Sequence, residues 1–189
     1  MMRRHISIHV RGFTVGRLGP LGLVGDRWVL GDPKREGGEC LVLTGDGMEH
    51  HRNAAAEPEA VIPWSRFMQL HLRATGRGWT ASRPMGVFGA GHGTVVGPDG
   101  CAVTALLRHP YEDWSARYSH HEHRYTAADV FWLQHLFRHT VEAKSAHRLG
   151  DPEWLGTAVA RLTELSPSWG LTANRRAADV IADLHRVSA

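Results

Sequence analysis

The chain has 189 residues, 42% of them apolar, which suffices for one globular domain or for one domain with a small helical extension. Its 22 basic and 19 acidic residues leave a formal charge of +3, far from the one-sided composition of dedicated nucleic-acid-binding proteins. Lysine occurs only at Lys34 and Lys144, and the abundance of arginine, alanine and glycine is typical of a GC-rich genome.

The N-terminal sequence MMRRHISIHVRGF contains basic residues, but no apolar run of about 7 to 15 residues follows them, so we expect no secretory signal. No stretch approaches the roughly 20 apolar residues that a membrane-spanning helix needs. We therefore expect a cytoplasmic protein. The two cysteines, Cys40 and Cys101, are too far apart for a CxxC-type zinc site or a disulfide framework, and we predict that both are buried as small apolar residues.

Residues 1–125 carry the signals of short β-strands, namely apolar or alternating runs separated by Gly, Pro and Asp. Residues 45–47, Gly-Asp-Gly, lie between two such runs and predict a hairpin, because Asp-Gly accepts positive φ angles. Residues 98–100, Pro-Asp-Gly, predict a second hairpin between strands at residues 94–96 and 101–107. Many short strands at near-regular spacing favour an antiparallel barrel or sandwich.

A long amphipathic helix is predicted after the strands, because the apolar period changes from two to 3.6 residues at Thr126. Thr126 and Asp129 fit a capping box, in which the hydroxyl and the carboxylate satisfy N–H groups of the first turn. We predict that the helix covers residues 126–148 and that Gly150 ends it as the residue after the C-cap. Its predicted core face consists of Val130, Leu133, Leu136, Phe137, Thr140 and Val141.

Two further helices are predicted after this one. Asp151 and Pro152 are typical of an N-cap and a first helical position, and they predict the start of the second helix. The segment SPSWGLT ends this helix, and its last residue, Thr172, is the predicted N-cap of the third helix. The expected organisation is a strand-rich domain with its capping helix at residues 1–149, followed by a two-helix extension at residues 150–189 that packs on it. The predicted fold class is α+β.

The stretch CLVLTGDGMEHH, followed by AVIPWSRFMQL, resembles a recurring part of bacterial, actinobacterial-like pleckstrin-homology-like domains: an apolar strand, a tight turn, a polar strand, then IPW and another strand. The resemblance covers residues 5–148. It implies an antiparallel β-barrel or sandwich of about seven strands, in which one amphipathic helix closes a corner between two nearly orthogonal sheets. It implies no catalytic residues, and the implied function is a scaffold that binds lipids, peptides or copies of itself.

The 14 histidines raise the alternative of a metal site. In the run YSHHEHRYT, His121 and His123 share one face if the segment is extended, and on the predicted helix His135 and His139 lie four residues apart on one face. Zinc needs three or four ligands, so these four histidines are the candidate ligands of a divalent metal such as zinc. The sequence lacks His-Glu-x-x-His, so no glutamate of that motif is placed to activate a metal-bound water.

A structural interpretation competes with the metal site. On the predicted helix, His135 would face solvent and His139 would lie at the boundary of the core beside Trp132. The run YSHHEHRYT would be a strand-to-helix connection, anchored by the buried rings of Tyr118 and Tyr125. Both interpretations remain open at the level of sequence.

Seven tryptophans are numerous for this length, and two of them, Trp154 and Trp169, flank the second predicted helix. Either they hold the helical extension on the strand domain, or they contact a partner, since aromatic residues dominate binding hot spots. Arg175 and Arg176 begin the last predicted helix and are further candidate interaction residues. They have little basic support nearby, and the connection SPSWGLT is longer than that of a helix-turn-helix, so DNA recognition is not favoured.

The leading prediction is a non-catalytic binding or adaptor module, without a cofactor, that binds a protein partner or self-associates. The glycine-rich segment GVFGAGHGTVVG leads into a β-branched run and not into a helix, and no Gly-x-Ser-x-Gly elbow occurs. The first alternative is a metal-binding protein or metal-dependent enzyme that uses the histidines. The second is binding of nucleic acid or peripheral binding to anionic membranes through the arginine-rich ends, Arg3, Arg4, Arg11, Arg175 and Arg176.

Overall fold

The computed structural model describes residues 16–53, 55–75, 93–96, 100–122, 125–165 and 171–187. Within these ranges, strands precede helices and the predicted α+β class is confirmed. The strands are β1 (Arg17–Leu18), β2 (Leu21–Val24), β3 (Arg27–Leu30), β4 (Glu39–Leu43), β5 (Gly47–Arg52), β6 (Ala60–Pro63), β7 (Phe67–Thr75), β8 (Gly93–Val96), β9 (Ala102–Leu107) and β10 (Glu112–Arg117). The helices are α1 (Ala127–Glu142), α2 (Pro152–Thr163) and α3 (Leu171–Val187).

The described strands form two sheets. Strands β1 to β6 make an antiparallel meander, and the second sheet has the order β10-β9-β7-β8, with β7 and β8 parallel. Pro63 ends β6 without an N–H to donate, and Trp64–Arg66 then form a 3-10 turn that carries the chain from one sheet to the other. No ladder between described strands joins the two sheets, so the prediction of a closed barrel is wrong for this part of the chain.

Of the two predicted hairpins, the first is confirmed and the second is wrong. β4 and β5 pair around residues 45–47, with Leu43 opposite Met48 and the Thr44 N–H bonded to the Gly47 carbonyl at 2.9 Å. β8 and β9 instead lie on opposite sides of β7. The turn residues at 98–100 are a local signal, whereas the place of β8 is set by pairing with the distant segment from Leu72 onward.

Helix α1 starts as predicted and ends early. The Thr126 hydroxyl accepts from the Asp129 N–H at 3.2 Å, and the Asp129 carboxylate accepts from the Thr126 N–H at 2.7 Å, which confirms the capping box. After Glu142 the chain turns at Lys144, whose φ is +57°, and the Ser145 N–H donates to the Thr140 carbonyl at 3.0 Å. This bond from five residues ahead closes the helix C-terminus, and a 3-10 turn at Ala146–Gly150 follows.

Gly150 has a different role from the predicted one. It does not end α1; it lies where the chain passes against the β4–β5 turn, and an added Cβ would overlap the Thr44 carbonyl oxygen and come within 2.7 Å of Nε1 of Trp64. A residue without a side chain is therefore required for close packing and not for a helix cap. Helix α2 begins at Pro152 with Asp151 as its N-cap, as predicted, and α3 begins at Leu171, one residue before the predicted cap.

A buried glutamine joins α1 to the second sheet. The side-chain amide of Gln134 donates to the Leu70 carbonyl at 3.1 Å, and its oxygen accepts from the Leu72 N–H. Both backbone groups belong to β7, so the amide bonds to the strand as a residue of a neighbouring strand would. Gln134 is 1% exposed, and the predicted core face of α1 is buried around it.

The core of the described residues is continuous from the sheets into all three helices. The Trp28 indole donates to the Pro152 carbonyl at 3.1 Å, and Leu155 and Leu162 of α2 are fully buried in the same cluster as Leu30. The helical extension is thus packed on the strand-rich body. Among the described residues, no helix has both the length and the apolar character that crossing a bilayer requires.

Candidate functional site

A cleft of about 400 Å³ opens where the end of α1 meets the corner between β6 and β7. The buried part of its lining is apolar and includes Trp64, Phe67 and Val141, with the rings of Trp64 and Phe67 5.5 Å apart. Met68 adds an apolar side chain that is 39% exposed. The polar lining is made by Ser65, Arg108, Glu142, Lys144 and His147.

The aromatic floor is held by hydrogen bonds of the corner itself. The Trp64 indole donates to the Thr44 carbonyl at 2.7 Å. Arg108 bonds across the corner twice, through its N–H to the Arg66 carbonyl at 2.9 Å and through Nε to the Ser65 carbonyl at 2.8 Å. These bonds fix the floor and one side of the cleft before any ligand binds.

A bulge in β7 directs Met68 outward. Phe67 pairs with Leu107 and Gln69 with Leu106, so Met68 is the extra residue of β7 at this point. A bulge bends a strand and changes the direction of its side chains, and bulges occur often beside functional sites. The local geometry therefore explains how a methionine of a central strand remains accessible at the mouth of the cleft.

The rim of the cleft carries more positive than negative charge. Glu142 is the only acidic residue among the lining residues of the cleft. Its carboxylate pairs with two side chains of the same helix, 3.2 Å from Nδ1 of His139 and 3.7 Å from Nε of Arg138. Within the described part of the chain, no carboxylate forms an ion pair with Arg108 or Lys144. Two uncompensated cations thus face an apolar floor.

Two of the predicted metal ligands do lie together. The rings of His135 and His139 are 5.4 Å apart, and Nδ1 of His135 is 3.4 Å from Nε2 of His139. The expectation that His135 faces solvent is wrong: it is 3% exposed, and its ring packs 4.3 Å from that of Phe131. A guanidinium nitrogen of Arg138 lies within 3.4 Å of both imidazoles. Burial, and then the Arg138 charge, lower the pKa of His139.

The other two predicted metal ligands do not complete this pair. His121 lies with Nε2 3.2 Å from the Pro20 carbonyl, and His123 is outside the described residues. Across the described ranges, no three His, Cys, Asp or Glu side chains gather in a way that could hold a metal ion. The metal assignment therefore stays a prediction, and His135 and His139 are the two candidate ligands that the fold brings together.

The anchoring of the run YSHHEHRYT by its two tyrosines is confirmed. The Tyr118 hydroxyl donates to the Arg73 carbonyl at 2.7 Å, and the Tyr125 hydroxyl is 2.9 Å from Oγ1 of Thr75. Both rings are buried, and burial raises the pKa of Tyr118 well above its usual value. His120 lies 2.9 Å from the Arg35 guanidinium. The described part of the run is thus a strand-to-helix connection fixed at both ends.

The predicted interaction residues of the extension divide into buried and exposed groups. Trp154 is buried, and its ring stacks on that of His185 in α3 at 5.2 Å, so it holds α2 and α3 together. Trp169 lies outside the described residues, as do the N-terminal arginines. Arg175 and Arg176 are exposed at the start of α3. Binding of nucleic acid or membranes through them stays a prediction.

Two groups of neighbouring side chains, the cleft and a cluster around His50, were not predicted from the sequence. The stretch AVIPWSRFMQL was noted only for its resemblance to a fold and not as a binding site, because the exposure of Met68 depends on a bulge and the position of Lys144 on the early end of α1. His50 was assigned only to a polar strand, yet it is buried 2.9 Å from Glu39 and 3.7 Å from Glu59, with Arg52 Nε 2.7 Å from Glu59. The carboxylates of this second group are bonded to the His50 imidazole and the Arg52 guanidinium, so they are not open to a ligand.

Both cysteines, Cys40 and Cys101, are buried, as predicted. Burial, and then the Asp32 charge, raise the pKa of the Cys40 thiol, which keeps it protonated and poorly nucleophilic. Comparison with known proteins found no matching family model, no similar curated protein and no similar solved structure.

Proposed function

We propose that this chain is a non-catalytic binding module of pleckstrin-homology-like architecture, and that it holds a partner polypeptide in the cleft between the end of α1 and the β6–β7 corner. The main support for this proposal is that one cleft contains both a rigid aromatic floor, formed by Trp64 and Phe67, and an exposed methionine, Met68. Ligand sites are typically concave and largely apolar, with a few placed polar groups.

The architecture supports a scaffold of the pleckstrin-homology-like kind. A strand meander is followed by a second sheet and then by a capped helix that packs on β7. The Gln134 amide fastens that helix to the sheet. In such a scaffold the sheets and helix provide a stable frame, and recognition takes place at its corners and loops.

The side chains of the cleft favour a polypeptide ligand. Aromatic residues, methionine and arginine are enriched in protein interfaces, and all three kinds line this cleft. A volume of about 400 Å³ is at the lower end of ligand pockets, which suits one or two anchoring side chains of a longer chain. The flexible thioether of Met68 adapts to different apolar partners. A second copy of this chain is an alternative source of the anchor.

The test uses Met68 as the reporter and Met48, which is fully buried in the core, as the internal control. Dodecapeptides are selected by phage display on the immobilised full chain, and each is titrated into protein labelled with ¹³C at the methionine methyl groups. We expect the Met68 methyl resonance, assigned with Met68→Leu, to shift while that of Met48 stays in place. A concentration-dependent Met68 shift without peptide would indicate self-association. Absence of any selected peptide and of any Met68 shift would contradict the proposal.

A second candidate function is metal binding at His135 and His139, which the 3.4 Å approach of their ring nitrogens favours. The Arg138 guanidinium beside both rings opposes a cation there. Calorimetric titration of zinc into untagged protein tests it. Near-stoichiometric binding that His139→Gln abolishes would support a metal site, and the same binding in both proteins would exclude this pair as the ligands.

A further inference from the structure

We infer that the cleft selects an acidic peptide, namely one in which an apolar anchor side chain is followed closely by Asp or Glu. The inference rests on the proposed function and adds the chemical class of the partner. Its basis is the unequal charge of the rim, where Arg108 and Lys144 face an apolar floor and Glu142 is held by its own helix.

Arg108 is prepared to bind a carboxylate. Its Nε is bound to the Ser65 carbonyl at 2.8 Å, which fixes the plane of the guanidinium at the edge of the cleft. Among the described residues no acceptor is bonded to its two terminal nitrogens. A fixed guanidinium with free N–H groups matches the two oxygens of a carboxylate, and little side-chain entropy is lost on binding.

Lys144 contributes the second cation of the cleft lining. Its backbone is fixed at a φ of +57°, with its N–H donating to the Val141 carbonyl at 2.9 Å. The C-terminal end of α1 carries a partial negative charge of about half a unit, which opposes an acidic ligand. The two full cations outweigh that partial charge, since Glu142 is paired with Arg138 on its own helix.

The apolar floor explains why charge alone is not enough for a ligand. Phe67 and Trp64 are buried in the floor, and Met68 is the accessible apolar group beside them. An acidic peptide without an apolar side chain would leave this surface wet and gain only screened ion pairs, each worth little in water. We therefore expect affinity to need both parts: the anchor for binding and the carboxylate for selection.

Three labelled decapeptides test the inference by fluorescence anisotropy. Each contains Leu-Phe, followed by Asp-Glu-Asp in the first, Asn-Gln-Asn in the second and Lys-Lys-Lys in the third. We expect the acidic peptide to bind about three- to tenfold more tightly than the neutral one, as for one or two partly exposed ion pairs. The difference should shrink as sodium chloride is raised from 0.05 to 0.5 M, because salt screens exposed charges.

Charge-reversal variants identify the surface. Lys144→Glu should weaken binding of the acidic peptide more than binding of the neutral peptide and so remove the preference for the acidic peptide. Arg161→Glu, the matched control on the exposed face of α2, changes net charge equally and should preserve the preference. Met68→Ser should weaken both peptides about equally, whereas Leu23→Ser, at another partly exposed apolar position, should weaken neither.

The outcomes separate the inference from the proposed function. Equal or tighter binding of the neutral or basic peptide, with the Met68 dependence intact, overturns the acidic preference and leaves the binding module standing. No binding by any of the three peptides or by selected peptides removes both. Binding to phosphatidylserine vesicles that Lys144→Glu abolishes, without peptide binding, would assign the same charges to a membrane surface and overturn the inference.

Discussion

At the scale of single residues, Gln134 shows how one side chain can decide whether α1 stays on the sheet. Its amide satisfies the Leu70 carbonyl and the Leu72 N–H, and all of these atoms are buried. A backbone group that is buried without a partner costs about 1–3 kcal/mol, since it loses its bond to water and gains none. Gln134 therefore stabilises the fold mainly because its removal would leave the Leu70 carbonyl and the Leu72 N–H buried without a hydrogen-bond partner.

We predict that Gln134→Leu lowers the free energy of unfolding by about 2–4 kcal/mol, because two buried backbone groups lose their partner while the volume is nearly conserved. Urea denaturation followed by circular dichroism measures the change. The matched control is Gln69→Leu, an exposed glutamine of the same region of β7, which should change stability by less than about 0.5 kcal/mol. Equal effects of the two substitutions would show that the amide has no special role.

Gly150 offers a second prediction at this scale. Gly150→Ala places a methyl group against the Thr44 carbonyl and beside Nε1 of Trp64, so the chain or the indole must move. We expect a loss of about 1–3 kcal/mol in unfolding free energy, typical of overpacking, together with weaker peptide binding because Trp64 belongs to the cleft floor. Gly45→Ala is the control, since an added Cβ there meets no atom within 4 Å. Denaturation and anisotropy measure the two effects.

At the scale of elements, the contact between α2 and α3 contains a histidine that is poorly placed to carry charge. His185 of α3 stacks on Trp154 of α2, and neither ring nitrogen has a hydrogen-bond partner. Burial, and then the nearby charges of Arg148 and His147, lower the pKa of His185 from its usual value of about 6.5. On its own helix, the Arg186–Asp183 ion pair is the neighbouring charged group. The neutral imidazole is therefore the form that fits the docked helix.

We predict that acid weakens the docking of α3. In the unfolded chain the His185 imidazole takes up a proton as pH falls through about 6.5, whereas in the folded chain it does so only at lower pH. The contribution of the neutral His185 to the free energy of unfolding is therefore complete above about pH 6.5 and is lost progressively below it. His185→Phe should reduce this loss between pH 7 and 5. His120→Phe, outside this contact, should leave it unchanged. Unfolding free energies at several pH values measure both, and equal slopes for wild type and His185→Phe would contradict the prediction.

At the scale of the whole molecule, the extension is part of the core and not an appendage. Four large side chains of α2 and α3, Leu155, Leu162, Ile181 and Leu184, are buried in the same cluster as the strands. Burying a side chain of this size contributes about 1.5–3 kcal/mol, so together they contribute on the order of 6–12 kcal/mol. That is comparable with the whole net stability of a typical domain, about 5–15 kcal/mol.

We therefore predict that a chain ending after Gly150 does not fold cooperatively. The exposed apolar surface should bind an anilinonaphthalene dye and cause aggregation in size-exclusion chromatography, and the unfolding transition should broaden or vanish. As a control, a chain that ends after residue 187 removes no described residue and should unfold as the full chain does. A sharp transition of residues 1–150 at the wild-type denaturant concentration would contradict the prediction and establish that the strand-rich part folds independently.

How far the sequence predicted this structure depends on the range of the interactions involved. The hairpin at residues 45–47 and the Thr126–Asp129 capping box depend on neighbours in the chain, and both were predicted. The position of β8 and the separation of the two sheets depend on contacts between distant segments, which periodicity does not report. The cleft belongs to the second kind, because it needs both a β-bulge at Met68 and the early end of α1.

The Gln134 amide has one more consequence, for how copies of the protein can meet. β8 pairs with β7 only from Leu72 onward, and the amide occupies the hydrogen-bonding positions of Leu70 and Leu72 on β7. A strand edge that is left open invites an incoming chain to extend the sheet, which is a common route to fibres and domain swapping. Here the glutamine amide holds those positions, so an incoming strand cannot extend the sheet along this stretch of β7.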